Sequence, residues 1–537
     1  MSPARRNRAR GNAAASSSPS SSQWLAAGFV LAAAAAAYAA VTSNALSNAR
    51  LEFEEVGYLV KAWWYVTGAL TPFGAGDALP TMPVFPFALG MAQTQIGLSV
   101  EAARIAMIVI GVANAIILYL LCRKLTANVL ASAAAVLIFI ATPATAYSFT
   151  ATGPVGLVSL LHLAAVWIIV LSVGRPKLWL SALMGATLAL IVLTSFDMAL
   201  PAALLLGVFM AAAGSARWLH GAAVAAVIAA ALGAAVTLLP EQFAAFLLKE
   251  PLTALVTGAA DFNLMGIGVN AYEGVLLPYG GTILLCLLLV PLTLAGPRAL
   301  WIVPIYVLLA LAAITVLRAP GCAVCAATAP SQISAVAALG AAMTLAFLAR
   351  VARQKNLSSA PLAVGGVFLA LALNTFGPVL AGSEVLRSFP AEVLKQPRPA
   401  AERQDVAALM RFIGQNVAAG GEPMLLLHDM ASIPYAVHMA GRRFPSVSLN
   451  PAAAQRTLAT TLSGPRREAA LAAIENSGLW TAETLRRWVE RDYDLILWQE
   501  GAVAKDQMVA ALLETGFETV AETDYRGSRL ILYRRKS

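Results

Sequence analysis

The sequence predicts a mainly α-helical, polytopic membrane protein with a small extracytoplasmic α/β domain at its C-terminus. Three observations carry this. Hydrophobic residues make up 59% of the 537 and charged residues only 12%, where soluble domains carry about 25% charged residues. The apolar residues gather into eleven segments, each near the length of about 20 residues that a bilayer requires. The charges between those segments sort by sign. Every second connection is basic: Arg123-Lys124, Arg175 with Lys177, Arg217, Arg298, then Arg350, Arg353 and Lys355. The N-terminal tail joins this set with Arg5, Arg6, Arg8 and Arg10, whereas Glu52, Glu54, Glu55, Asp77, Glu241, Glu250, Asp261 and Glu273 fall in the intervening connections. Short basic loops stay cytoplasmic. The N-terminus is therefore expected inside the cell, and an odd number of spans puts residues 385–537 outside. The net charge of +9 sits in loops where topology requires it, so it is no sign of nucleic-acid binding.

Each element follows in order. Residues 1–23 form a basic, Ser-rich tail of disordered composition. The uncharged stretch from Gly11 to Ala49 exceeds the apolar core of a signal peptide and has no clear cleavage site. Residues 24–45 are accordingly a retained first span, and residues 46–98 the first outer loop. Within that loop Leu51–Thr67 has the period of an amphipathic helix, with Glu54, Tyr58, Lys61 and Tyr65 on one face. Trp63, Trp64 and Tyr65 suit the lipid headgroup level. Pro72, Gly74, Gly76 and Pro80 end the helix. Met82-Pro83-Val84-Phe85-Pro86-Phe87 leads into a second apolar helix to Gly97, too short to span and so interfacial.

Further spans are expected at 99–122, 127–148, 154–173, 178–196, 198–216, 219–239, 276–296, 299–317, 331–349 and 359–382. The stretch from Thr126 to Gly174 has no Asp, Glu, Lys or Arg, and its length requires two spans joined near Ala151-Thr152-Gly153-Pro154. A second large outer loop, 240–275, carries Lys249 among its acids. Beyond about residue 385 charge and periodicity return. Glu402–Val417 reads as a helix, Met424–His428 and Asp494–Trp498 as strands, and Ala504–Thr515 as a helix. Strands follow near Phe517–Glu522 and Leu530–Tyr533, and this alternation argues a small α/β domain. The organisation is thus a tail at 1–23, a transmembrane domain at 24–384 and the α/β domain at 385–537.

Three motifs in the first loop carry a resemblance. Glu54-Glu55-Val56-Gly57-Tyr58, ten residues before Gly68, resembles the acidic D-E-x-x-Y … G motif of the GT-C glycosyltransferases. That superfamily includes the protein O-mannosyltransferases and the bacterial enzyme that adds aminoarabinose to lipid A. The Met82–Phe87 stretch is similar to its P-P-L-x-Y/F segment, and Gly97 with Ala102-Ala103-Arg104 is similar to its G … A-A-R-L segment. The match covers residues 51–125; the remainder matches in layout only. The resemblance implies a polyprenyl-phosphate-linked sugar as donor, an envelope acceptor (lipid, glycan or protein), and chemistry at the bilayer on the non-cytoplasmic face. It places Glu54 on the catalytic acid, with Glu55 beside it and Tyr58 as the motif tyrosine. A carboxylate there would take the acceptor's proton, and the leaving phosphate would need cationic or hydrogen-bonding partners. Lys61, Arg104 and Lys249 are the candidates, with Tyr58. The chain departs from the pattern in three places. The acid is Glu rather than Asp, Gly57 and Thr81-Met82 replace basic positions of the lipid A enzymes, and residues 147–153 contain no second acid. The second-acid role is left vacant or filled from elsewhere.

Each candidate also has a plain reading. Glu54 and Glu55 can be solvated charges of a loop helix. Lys61 can snorkel to the interface. Arg104, just inside a span, costs about 2.5–3.5 kcal/mol to insert, so it calls for a partner: a phosphate, or a carboxylate such as Glu101. Asp197 is adequately explained as a turn residue. The acids of 240–275 can be solvated. No His, Cys or acid spacing supports a metal site, which leaves a divalent ion open. Cys322 and Cys325 can form a disulfide outside the cell, and Cys122, Cys286, His162 and His220 read as packing. His428-Asp429 ends a strand where α/β domains bind ligands, and structure accounts for it too. Three rivals stand beside the monosaccharide transferase: a ligase moving a whole glycan, an envelope-lipid transporter, and a non-catalytic scaffold. The nearly charge-free spans disfavour transport.

Overall fold

The computed structural model describes residues 21–48, 51, 53–74, 81–173, 177–240, 243–244, 247, 277–293, 302–317, 331–355, 360–380, 400–429, 431–445, 494–501, 513 and 515–536. A helix lies in each of the eleven expected segments. They are α1 (Ser21–Asn48), α4 (Val100–Thr126), α5 (Val129–Ala141), α7 (Val155–Ser172), α8 (Leu178–Thr194), α9 (Ala199–Ala213), α10 (Arg217–Leu238), α11 (Leu277–Thr293), α12 (Ile302–Leu317), α13 (Ser334–Gln354) and α14 (Ala360–Leu380). Among the described residues, six helices are long and apolar enough to cross a membrane. On α4, Ile105, Val109, Val112, Ile116 and Leu120 recur on one exposed face. Such a stripe is tolerable where the surrounding solvent is lipid, so the chain is an integral membrane protein.

The third expected span differs from its prediction. The helix stops at Ala141, and a separate short helix, α6 (Pro143–Ser148), completes the segment. Pro143 supplies no backbone N–H, and it pushes the preceding Thr142 to extended backbone, φ −73° and ψ 118°. The turn at residues 149–154 falls where expected. The connection between α4 and α5 is tight. Ala127 takes the left-handed conformation at φ 53°, and the Asn128 side chain accepts from Leu130 N at 3.0 Å and Ala131 N at 3.2 Å.

The two helices of the first loop are α2 (Phe53–Val66) and α3 (Val84–Ile96). α2 begins with Glu54 and Glu55, which suit the positive end of the helix dipole, and ends before Gly68 at φ 71°. The two pack closely, because Gly90 lets α3 approach the α2 backbone: a Cβ there would strike the Ala62 carbonyl oxygen and Val66 Cγ2. Buried Gln93 then donates to Leu59 O at 3.2 Å.

The C-terminal part contains α15 (Ala400–Asn416), β1 (Met424–Leu426), α16 (Ser432–Met439), β2 (Leu495–Gln499), β3 (Phe517–Tyr525) and β4 (Ser528–Arg535). The sheet order is β1-β2-β4-β3, with β1 parallel to β2 and the other pairs antiparallel. Arg526 at φ 50° and Gly527 at φ 79° form the two-residue hairpin turn between β3 and β4. The expected helix at 504–515 lies outside the described residues, apart from isolated positions.

Two cores organise the molecule. One fills the helical bundle from Ala34 on α1 to Ala370 on α14. The other joins α2, α3 and the start of α4 to the C-terminal sheet: Val56, Leu59, Trp64 and Met107 share it with Leu409, Ile433, Leu425 and Leu532. The first-loop helices therefore sit between the bundle and the C-terminal part.

Candidate functional site

Successive residues of a helix point about 100° apart, and this separates the two first-loop acids. Glu54 is exposed, whereas Glu55 is 1% exposed. Arg104, on the first turns of α4, grips Glu55 with two hydrogen bonds, Nε to Oε1 at 2.8 Å and Nη2 to Oε2 at 2.6 Å. Thr152, in the turn before α7, adds its backbone N–H at 3.1 Å and its hydroxyl at 2.9 Å to the same Oε1. Four donors thus converge on one buried carboxylate. The arrangement ties α2, α4 and the 149–154 turn together. Glu55 and Arg104, which the sequence offers to the chemistry and to a phosphate, are brought to each other.

Tyr58 lies one turn beyond Glu54. Its ring is half-buried and meets Phe85 edge-on, with centroids 5.3 Å apart. Burial pushes the phenol well above its ordinary range, and the charges of Glu54 and then Asp197 push it further. Asp197 is therefore near this tyrosine. It stands exposed on a short 3₁₀ turn, Phe196–Met198, between α8 and α9. Phe196 packs against a small cluster of Phe73, Met82, Leu193 and Phe243, which seats that turn against the first loop. Asp197 thus sits on a turn, as the sequence predicts, and its charge also bears on Tyr58.

Lys61 is buried, at 3% exposure, on the same helix. Tyr65 is buried too, 3.4 Å from the Thr81 hydroxyl and beside Phe87 at 5.8 Å between ring centroids. The stripe Glu54, Tyr58, Lys61, Tyr65 thus runs from solvent into the protein. Lys249 and the cysteines at 322 and 325 lie outside the described residues. Among the described residues no three His, Cys, Asp or Glu side chains converge as metal ligands would.

In the C-terminal part, Asp429 accepts from Ala431 N at 3.1 Å and Ser432 N at 2.8 Å, capping α16. Its other oxygen takes the Tyr525 hydroxyl at 2.8 Å and Arg526 at 3.3 Å. Gln499 pins the backbone of His428 and Asp429 at 3.2 and 3.0 Å. His428 and Asp429 thus serve the architecture of this strand end. Cys122, Cys286, His162 and His220 are buried, as packing residues are.

No family model matches the chain, and no curated protein sequence matches it. Solved structures do. ArnT from Cupriavidus metallidurans bound to undecaprenyl phosphate superposes with a TM-score of 0.57 over 96% of this chain and 98% of that one, at 12% identity. The apo state of the same protein gives 0.56 over 95% and 97%, also at 12% identity. The fold is GT-C-like. Residues 54–58 lie on α2, with the Glu54 side chain exposed and the Glu55 carboxylate buried. Glu55, held by Arg104 and Thr152, fixes the helix.

Proposed function

We propose that this protein is a membrane glycosyltransferase of the GT-C type. In this reading it moves a monosaccharide from a polyprenyl-phosphate donor to an envelope acceptor on the non-cytoplasmic face. The single observation that carries the reading is the contrast between Glu54 and Glu55. One carboxylate is open beside a half-buried tyrosine; its neighbour is locked in a buried four-donor site. Holding a reactive group on a rigid support is what positioned proton transfer requires.

The reaction balances as follows. The acceptor's O–H or N–H proton passes to the Glu54 carboxylate as the acceptor atom attacks the anomeric carbon. The bond from that carbon to the phosphate oxygen breaks, and polyprenyl phosphate leaves with the electron pair. Attack opposite the leaving group inverts the anomeric centre. Tyr58, neutral at any ordinary pH, can orient the acceptor or sugar through its hydroxyl. Arg104 is already neutralised by Glu55, so Lys61 and Lys249 are the better candidates for the leaving phosphate. The ArnT structure with undecaprenyl phosphate supports a polyprenyl phosphate as the lipid partner. Charge alternation supports a cytoplasmic N-terminus with the first loop and residues 385–537 outside.

The test is mass spectrometry of envelope glycolipids and glycoproteins from cells with the wild-type chain, no chain, or Glu54→Gln at matched expression. The reading expects one sugar unit to be missing in both the deletion and the Glu54→Gln strain. Full restoration by Glu54→Gln would exclude base catalysis by this residue and favour the transporter or scaffold.

A further inference from the structure

The N-terminus of α4 is capped by two residues from opposite ends of the chain. The first turn of any helix leaves four backbone N–H groups without intrahelical partners. Ser99 takes one of them: its hydroxyl accepts from Ala102 N at 3.1 Å, while its carbonyl accepts the first intrahelical bond, from Ala103 N, at 3.1 Å. The Val100 N–H goes elsewhere. It donates to the hydroxyl of Tyr435 on α16, at 3.2 Å, across 335 positions of sequence. Both residues are buried, and the apolar core around them is continuous from α2 to the C-terminal sheet. Nearby, Trp64 of α2 meets Phe444 edge-on at 5.0 Å.

One turn along α4 from Val100 stands Arg104, which holds Glu55, the neighbour of Glu54. The contacts therefore run without a gap from Tyr435 through the first turn of α4 to the helix that carries the open acid. We infer that Tyr435 is a positioning residue, and that the C-terminal domain is a fixed wall of the site which holds α2 in register. This rests on the role given to Glu54 above for its activity readout, and on geometry alone for its structural readout.

Two substitutions remove the same hydrogen bond from its two ends. Tyr435→Phe deletes the acceptor. Val100→Pro deletes the donor at the first helical position, where proline is well tolerated. The preceding Ser99 already has φ −70° and ψ 152°, the backbone that proline asks of its predecessor. The full-length protein in detergent is compared by hydrogen exchange, and cells are compared by envelope mass spectrometry. Faster exchange is expected in peptides covering 53–66 and 100–107 for either variant. Product formation should fall about fivefold, the factor for one hydrogen bond of about 1 kcal/mol, with binding of undecaprenyl phosphate unchanged. The Val100–Tyr435 bond is lost in all three, so the loss in the double variant should fall short of the product of the two single losses. Unchanged exchange over 53–66 in Tyr435→Phe overturns the inference, as do losses that multiply in the double variant. Should Glu54→Gln prove fully active, the catalytic reading falls and exchange over 53–66 alone decides whether Tyr435 holds α2.

Discussion

Arg104 and Glu55 form a parallel two-bond ion pair, 2.8 and 2.6 Å, with side chains only 3% and 1% exposed. A buried pair is poor evidence of net stability, yet removing one partner strands a charge and costs about 3–5 kcal/mol. Glu55→Ala and Arg104→Ala should each lower the thermal midpoint of the detergent-solubilised protein sharply. Glu55→Gln with Arg104→Met removes both charges and should recover most of that loss. A double variant as unstable as the singles would mean that the pair is not the source of the penalty.

Glu54 and Asp197 are expected to separate by size of effect. Glu54→Gln keeps shape and removes the base, so product formation should fall by about 10²–10⁴. Asp197→Asn leaves that base in place and alters the field beside Tyr58, so a smaller loss is expected. Quantified envelope product at matched expression ranks the two. Equal losses would raise Asp197 to a direct role in proton transfer.

Gly90 is required by the crossing of α2 and α3. In Gly90→Ala the new Cβ meets the Ala62 carbonyl oxygen, which is backbone and cannot rotate away. Overpacking of this kind costs about 1–3 kcal/mol. The thermal midpoint should drop, and hydrogen exchange should rise in 53–66 and 84–96 while the bundle helices stay protected. Uniform loss of protection across the chain would contradict a local crossing defect.

Asn374 knots three helices inside the bundle. Its oxygen accepts from Gly281 N and Thr282 N at 3.0 and 3.3 Å, and its amide donates to Thr142 and Thr282 hydroxyls at 3.0 and 2.7 Å. Interhelical hydrogen bonds in membranes are worth about 0.6–2 kcal/mol. Asn374→Leu should shorten the lifetime of the folded protein in detergent. Asn374→Asp loses the donors but keeps the acceptor, so its lifetime should fall between Leu and wild type.

His438 is expected to make the C-terminal domain acid-sensitive. Among the described residues its Nε2 is buried without a hydrogen-bond partner, and burial lowers its pKa from 6.5 to about 4. The unfolded chain binds a proton near pH 6.5 that the folded chain refuses until about pH 4. Stability is therefore full above pH 6.5 and declines as pH falls toward 4, by up to about 3 kcal/mol at about 1.4 kcal/mol per unit. His438→Leu should flatten this part of the pH–stability curve, read from thermal midpoints between pH 7 and 4. An unchanged slope would assign the acid lability to other groups.

The architecture was legible because its signals are local. Apolar run length marks helices, and it is read from neighbouring residues alone. The strands at 424–428 and 494–498 and the first-loop helices came from the same short-range periodicity. The break at Thr142-Pro143 was missed, because the span at 127–148 was read from apolar run length, which a proline does not interrupt.

The site was only half legible. Glu54 and Glu55 are adjacent letters of one motif, and no periodicity within α2 tells which faces solvent and which is consumed. That depends on Arg104 and Thr152, 49 and 97 positions away. Tyr435 caps Val100 by the same kind of long-range meeting. A chain's letters carry the preferences of each residue for water, lipid or helix, and so they settle spans, loops and candidate acids. Which donor meets which acceptor is decided by packing, because burying an unmatched polar group costs more than any local preference can return.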